Sequence, residues 1–132
     1  MERSDARSDA RERALNLLYE ANAKGIGPAE TIALQTLEPD ELTTELVLGV
    51  ARLLADIDAR IAATSKGWDL NRMPVLDLSI MRLATYELLE RTDVPVAVVI
   101  NEAVELAKRF STDDSGRFVN GVLAAIADDV RG

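Results

Sequence analysis

The chain has no cysteine and no histidine. Disulfides, thiolate nucleophiles, imidazole general bases and zinc sites of the usual kind are therefore excluded. Aromatic residues make up only 4% of the sequence, while Ala, Leu and Val dominate, which favours aliphatic helix packing over a β-sandwich. Nowhere do eighteen apolar residues run together, and the N-terminus is polar and charged. Neither a membrane span nor a secretory signal is expected, and the default compartment is the cytoplasm. A length of 132 residues corresponds to one domain, 1–132, large enough for a real core. No cofactor or metal is expected.

What is present is charge, unevenly spread. Fifteen basic and twenty-three acidic residues give a net charge of −8, which argues against non-specific binding to nucleic acid. Residues 1–24, however, carry five of each sign, so the negative excess lies downstream. This segment holds a four-residue repeat, Arg3-Ser4-Asp5-Ala6, Arg7-Ser8-Asp9-Ala10, Arg11-Glu12-Arg13-Ala14. On a helix, Arg3, Arg7 and Arg11 climb one face while Asp5 and Asp9 fall nearly opposite. Such a stripe is either a solvated helix start or a row of forked donors suited to phosphate.

The remaining periodicity is helical throughout. The first helix is expected from Ala6 to about Ala23, closed by Gly25-Ile26-Gly27-Pro28, with a short helix from Ala29 to about Thr36. After Pro39 a long helix is expected from Glu41 to about Ala63, with Leu42, Leu46, Val50, Leu53, Ile57 and Ile61 at helical spacing. Gly49 inside it suggests close approach of a neighbouring helix. Residues 64–71 read as the main linker, with Trp68 expected as a plug over the junction of two halves. Three further helices follow. One runs from Val75 to Arg91, with Arg82, Tyr86 and Glu87 on its outer face; the next reaches about Phe110 and is capped by Asp93; the last starts after Thr112. The fold class is all-α. Asn101, Glu102 and Asn120 interrupt apolar patterns, and such groups need hydrogen-bond partners if buried. The two amides are expected to bridge helices.

The motifs occur in an order that periodicity alone does not explain. Ala10-Arg11-Glu12 and Ala14 to Tyr19 are followed by Trp68-Asp69-Leu70-Asn71-Arg72 and Ile80-Met81-Arg82-Leu83-Ala84-Thr85-Tyr86-Glu87-Leu88-Leu89. Then come Asp93-Val94-Pro95, Ile100-Asn101-Glu102-Ala103-Val104-Glu105-Leu106-Ala107-Lys108, Asp114-Ser115 and Phe118-Val119-Asn120-Gly121-Val122-Leu123. Together they resemble the NusB family of bacterial transcription antitermination factors over nearly the whole chain. The resemblance implies two three-helix subdomains packed side by side, one about 1–66 and the other about 67–132. It also implies binding rather than catalysis. The partners would be the ribosomal protein NusE, the boxA element of ribosomal RNA leaders, other Nus factors and RNA polymerase.

Carried onto this chain, the resemblance assigns RNA contact to Arg7 and Arg11, with Arg3 and Arg13 beside them, and to Asp114 and Phe118. It assigns partner contact to Arg82, Tyr86 and Glu87, with Tyr19. Phe118 could stack a splayed base. Glu87, as an exposed helix charge, could be reversed to Lys with loss of the partner but not of the fold. Ser8 and Asp9 stand where the family often has arginines, so the isolated chain should bind RNA weakly and NusE should supply much of the counter-charge. The aliphatic faces suit a monomer or a homodimer equally. Three rival readings are an RNA-binding appendage of a ribosomal RNA cytosine methyltransferase, a purely structural oligomerisation module and a small carboxylate enzyme. For the last, Asp113-Asp114 and Asp128-Asp129 are the only clustered candidates, and neighbours on a helix point about 100° apart, so neither pair converges.

Overall fold

A computed structural model describes residues 5–65 and 68–132; Arg3 of the expected stripe lies outside them. Within the described residues seven helices follow in order: α1 (Ala6–Lys24), α2 (Pro28–Ala33), α3 (Glu41–Arg52), α4 (Leu54–Thr64), α5 (Val75–Glu90), α6 (Val96–Phe110) and α7 (Asp113–Arg131). A single 3₁₀ turn, Leu70–Arg72, precedes α5, and no strand occurs among the described residues.

Local chemistry sets most helix ends. Asp5 caps α1 by accepting from the Ser8 N–H at 2.8 Å, and this bond holds its carboxyl below the ordinary carboxylate range. Gly25 closes the same helix in the left-handed region at φ 68°, donating its N–H to the last-turn carbonyls. Asp40 caps α3 through Thr43, and Thr112 caps α7 through the Ser115 N–H at 3.0 Å. Asp93 does not cap α6: Pro95 occupies that position and no side chain bonds there. Its fixed φ of −61° already suits a helix entry.

The expected long helix over residues 41–63 is two helices. The chain turns at Leu53 (φ −106°, ψ 14°), which has neither glycine nor proline beside it. The cause is tertiary. Leu53 and Leu54 both pack against the core, and the turn redirects α4 away from α1 and onto α5 and α7.

The centre of the molecule is α5. It packs against α1, α3 and α4 on one side and α6 and α7 on the other, and α6 and α7 pair closely with each other. A helix with neighbours all round is buried all round: Leu78, Ile80, Met81, Leu83, Ala84 and Leu88 supply the apolar contacts, and Asp77, Ser79, Thr85 and Glu87 are buried beside them. Its C-terminal end is clamped by Arg131. That guanidinium donates to the carbonyls of Glu87, Leu88, Arg91 and Val94 at 2.6–3.0 Å, joining the last turn of α5 to the segment that follows it.

Of the three polar residues that interrupt the apolar patterns, only Glu102 reaches an interior partner, and it is itself half-buried. Asn101 and Asn120 are exposed and, among the described residues, bridge no helices. Each falls on the solvent arc of its helix, next to Val99 and Ala103 or Val119 and Val122, which take the core side.

Candidate functional site

The stripe expected on α1 divides. Arg7 and Arg13 are exposed and, among the described residues, form no ion pair. Arg11 instead points inward at 4% exposure, because it shares the spacing of Ala14, Leu15 and Leu18 on the core face. Its guanidinium meets Glu87 of α5 through two parallel bonds, Nε to Oε2 at 2.8 Å and Nη2 to Oε1 at 2.9 Å. Nη1 donates to Glu102 of α6 at 3.0 Å, and the Ser8 hydroxyl donates to the same carboxylate oxygen. Burial opposes the charge on Arg11, yet the hydrogen bonds and charges of Glu87 and Glu102 more than offset it and raise its pKa.

The outer face expected for α5 is therefore corrected. Glu87 is 2% exposed and cannot be an accessible charge for a partner; the fold needs it to neutralise Arg11. Tyr86 is also internal, at 4% exposure. Its ring lies directly over Gly49 of α3, where a Cβ would collide with the ring carbons, which explains the mid-helix glycine. The phenol donates to Glu45 at 3.3 Å. Burial, then the Glu45 charge, pushes its pKa up.

Two of the expected partner residues stay at the surface. Tyr19 of α1 is 44% exposed. Arg82 of α5 is partly buried and held by Asp58 of α4 through two 2.8 Å bonds. Arg82 lines a cleft of about 520 Å³ with Asn22, Asp58, Trp68, Asn71 and Val75. A smaller apolar cavity of about 230 Å³ continues from it past Asn22 and Arg82 to Leu18, Ile26 and Val50. Tyr19 stands three residues before Asn22, one helical turn along α1.

The start of α7 forms a second region. Asp114 is exposed and paired with Arg117, an exposed pair of the kind that contributes little to stability. Phe118 is half-buried, and Trp68 packs on it with ring centroids 5.6 Å apart at 51°. Trp68 is not the plug expected from sequence: 53% of it is exposed, because α4 and α7 already close the junction beneath it. Arg109 at the end of α6 pairs with Glu12 of α1 at 2.9 Å, tying those two helices together at the surface.

Sequence reasoning missed Arg11 as a core residue, Arg131 as a helix clamp and Trp68 as a surface aromatic. For Arg11 a signal existed, since it lies on the apolar spacing of its own helix. Among the described residues no group of three or more acidic side chains is gathered to hold a metal.

A helical bundle with an ion-paired centre, an open cleft and an arginine-bearing flank belongs to the class of all-α binding proteins. Residues 8–128 match the NusB family, and the chain belongs to it. The transcription antitermination protein NusB of Acidothermus cellulolyticus is 50% identical over 125 residues, 92% of this chain and 86% of the relative. That of Salinispora tropica is 45% identical over 130 residues, 93% and 96% of the two chains. Among solved structures, T. maritima NusB superposes with a TM-score of 0.86 at 32% identity, covering 98% of this chain and 96% of that one. A chain from the crystal structure of antitermination factors NusB and NusE in complex with dsRNA gives 0.79 at 27% identity, covering 93% and 96%.

Proposed function

We propose that this chain is an RNA-binding transcription antitermination factor that acts by binding, not catalysis. With the ribosomal protein NusE it holds the boxA element of nascent ribosomal RNA leaders, and with other Nus factors it promotes read-through by RNA polymerase in the cytoplasm. The observation that carries this reading is family membership over residues 8–128, joined to a fold shared with the NusB–NusE–RNA complex.

The RNA surface in this reading runs from Arg7 and Arg13, with Arg3 before them, to Asp114 and Phe118 at the start of α7. The guanidinium groups of Arg7 and Arg13, exposed and without an ion pair among the described residues, are free to meet phosphate. Arg11 serves the same surface from inside, by fixing α1 on α5 and α6. The partner surface is the cleft beside Arg82, with Tyr19 at its edge. An apolar floor with a few fixed polar groups suits a protein partner, and Tyr19 offers an apolar body with one polar tip. With a net charge of −8, the chain leaves much of the counter-charge for RNA to basic NusE.

The test is fluorescence anisotropy of a labelled boxA leader RNA and a scrambled control, titrated with this chain alone and with NusE. Tight, sequence-selective binding that needs both proteins is expected. Tight binding of arbitrary RNA by the isolated chain would overturn the division of labour, and no binding with NusE present would overturn the function. Size-exclusion chromatography of the complex reports whether one copy or two is present.

A further inference from the structure

The sole tryptophan stands between the two surfaces just described. Trp68 lines the 520 Å³ cleft with Asn22, Asp58 and Arg82, and it also lines a separate open cavity of about 330 Å³ with Thr64, Arg117 and Phe118. Two tilted rings 5.6 Å apart form one wall of that cavity. An indole left 53% exposed keeps much of its apolar area in water, so the fold gains only part of what burial would give. Arg117 at the rim is exposed and, among the described residues, held only by the surface pair with Asp114, which a phosphate can displace at little cost.

We propose that Trp68 is an RNA-contacting residue. With Phe118 it forms a two-ring shelf that stacks one unpaired base, Arg117 taking the adjoining phosphate, and the partner seated in the neighbouring cleft braces the indole from its other side. The proposal rests on the RNA and NusE reading above. Charge and chemistry select the occupant: an aromatic shelf beside a guanidinium matches a base next to its phosphate, and stacking needs no particular base identity. The shared wall also gives a physical route by which NusE strengthens RNA binding. A partner that immobilises the ring removes an ordering cost that RNA alone would have to meet.

The experiment measures anisotropy of the boxA RNA at saturating NusE for the wild type, Trp68→Ala, Trp68→Phe and Phe118→Ala, with NusE affinity measured separately for each. Trp68→Ala is expected to weaken RNA binding about ten- to a hundredfold, as for the loss of one stacked base. Trp68→Phe should recover most of that loss, and NusE should enhance RNA binding less in Trp68→Ala than in the wild type. The second readout is the emission of the single tryptophan, taken as the difference from the Trp68→Phe complex. RNA should quench it in the wild type and quench it less in Phe118→Ala. An unchanged RNA affinity of Trp68→Ala at saturating NusE, or emission indifferent to RNA, overturns the shelf while leaving the broader function intact. Failure of the wild-type complex to bind RNA overturns that function, and the shelf with it.

Discussion

Arg11 and Glu87, seventy-six residues apart, close a two-bond guanidinium–carboxylate pair in the interior, with both side chains almost wholly buried. The pair joins α1 to α5, and Glu102 extends it to α6, so one charge cluster sets the position of three helices. Removing Glu87 takes the two-bond partner from a buried guanidinium and leaves it only the half-buried Glu102. Glu87→Ala should therefore destabilise the protein by about 3–5 kcal/mol, and Glu87→Lys, which places two cations together, by at least as much. The double variant Arg11→Met/Glu87→Leu should recover most of that loss, since well-packed apolar residues often replace a buried pair without penalty. Urea unfolding of the three variants decides this; a loss below about 1 kcal/mol for Glu87→Ala would mean that the pair is hydrated in solution.

Gly49 and Tyr86 make a second dependence between distant positions. A Cβ at residue 49 would collide with the Tyr86 ring, so Gly49→Ala gains helix propensity but forces the ring or α3 to move. The net effect should be a loss of about 1–3 kcal/mol, opposite in sign to the usual gain from Gly to Ala in a helix. In Tyr86→Ala, which removes the obstacle, the same Gly49→Ala change should cost nothing or stabilise. Thermal unfolding of the four proteins of this cycle measures the coupling, and additive effects would show that the two residues do not meet.

The helical fold was readable because most of the chain obeys a simple periodicity. The stripe Ala10, Ala14, Leu17, Leu18 and Ala21 is buried as expected, and Gly25 ends α1 where a left-handed residue is needed. The turn at Leu53 was not readable, since no local breaker marks it and the packing of α4 on α5 and α7 imposes it. The site was less legible than the fold. Arg11, Tyr86 and Glu87 look like surface residues by type, yet each lies on a buried face and is satisfied by a partner far away in sequence. The partners leave no trace in local spacing, although the inward position of Arg11 could be read from its place on the apolar face of α1; the helix period grouped Arg7 with Arg11, and the structure separates them.

Asp40 gives the acid side of the stability profile a definite sign. Its carboxylate accepts from the Thr43 hydroxyl and backbone N–H, and those bonds hold its pKa below the ordinary value of 3.8. A group whose folded pKa is depressed contributes stability above its unfolded pKa and loses it as the pH falls through the folded value. The contribution is thus complete above about pH 5 and declines below about pH 4. Asp40→Ala should cost about 1 kcal/mol near neutral pH, as for loss of an N-cap, and the difference from wild type should shrink in acid. Asp40→Asn, which keeps a capping acceptor, should be nearly as stable as the wild type at pH 7 but should lack that acid dependence. A cost for Asp40→Ala that stays constant down to about pH 2.5 would show that the carboxylate charge is not what the cap uses.

The two exposed arginines of α1 should act on RNA through charge alone. Each phosphate that a guanidinium no longer neutralises withholds its share of counterion release, about 0.7 in the slope of log affinity against log salt for a single strand. Arg7→Ala/Arg13→Ala, assayed with NusE present, should therefore bind boxA RNA more weakly at low salt and show a slope reduced by about 1.4. The weakening should be similar for the scrambled RNA, because phosphate contacts carry no sequence information. Stability should be unchanged, since neither side chain has an ion-pair partner among the described residues. Arg11→Ala should separate cleanly from these two, lowering the unfolding midpoint because it takes both hydrogen bonds from the buried Glu87 carboxylate. A double variant whose salt slope equals that of the wild type would move the RNA away from α1 and leave the start of α7 as the main contact.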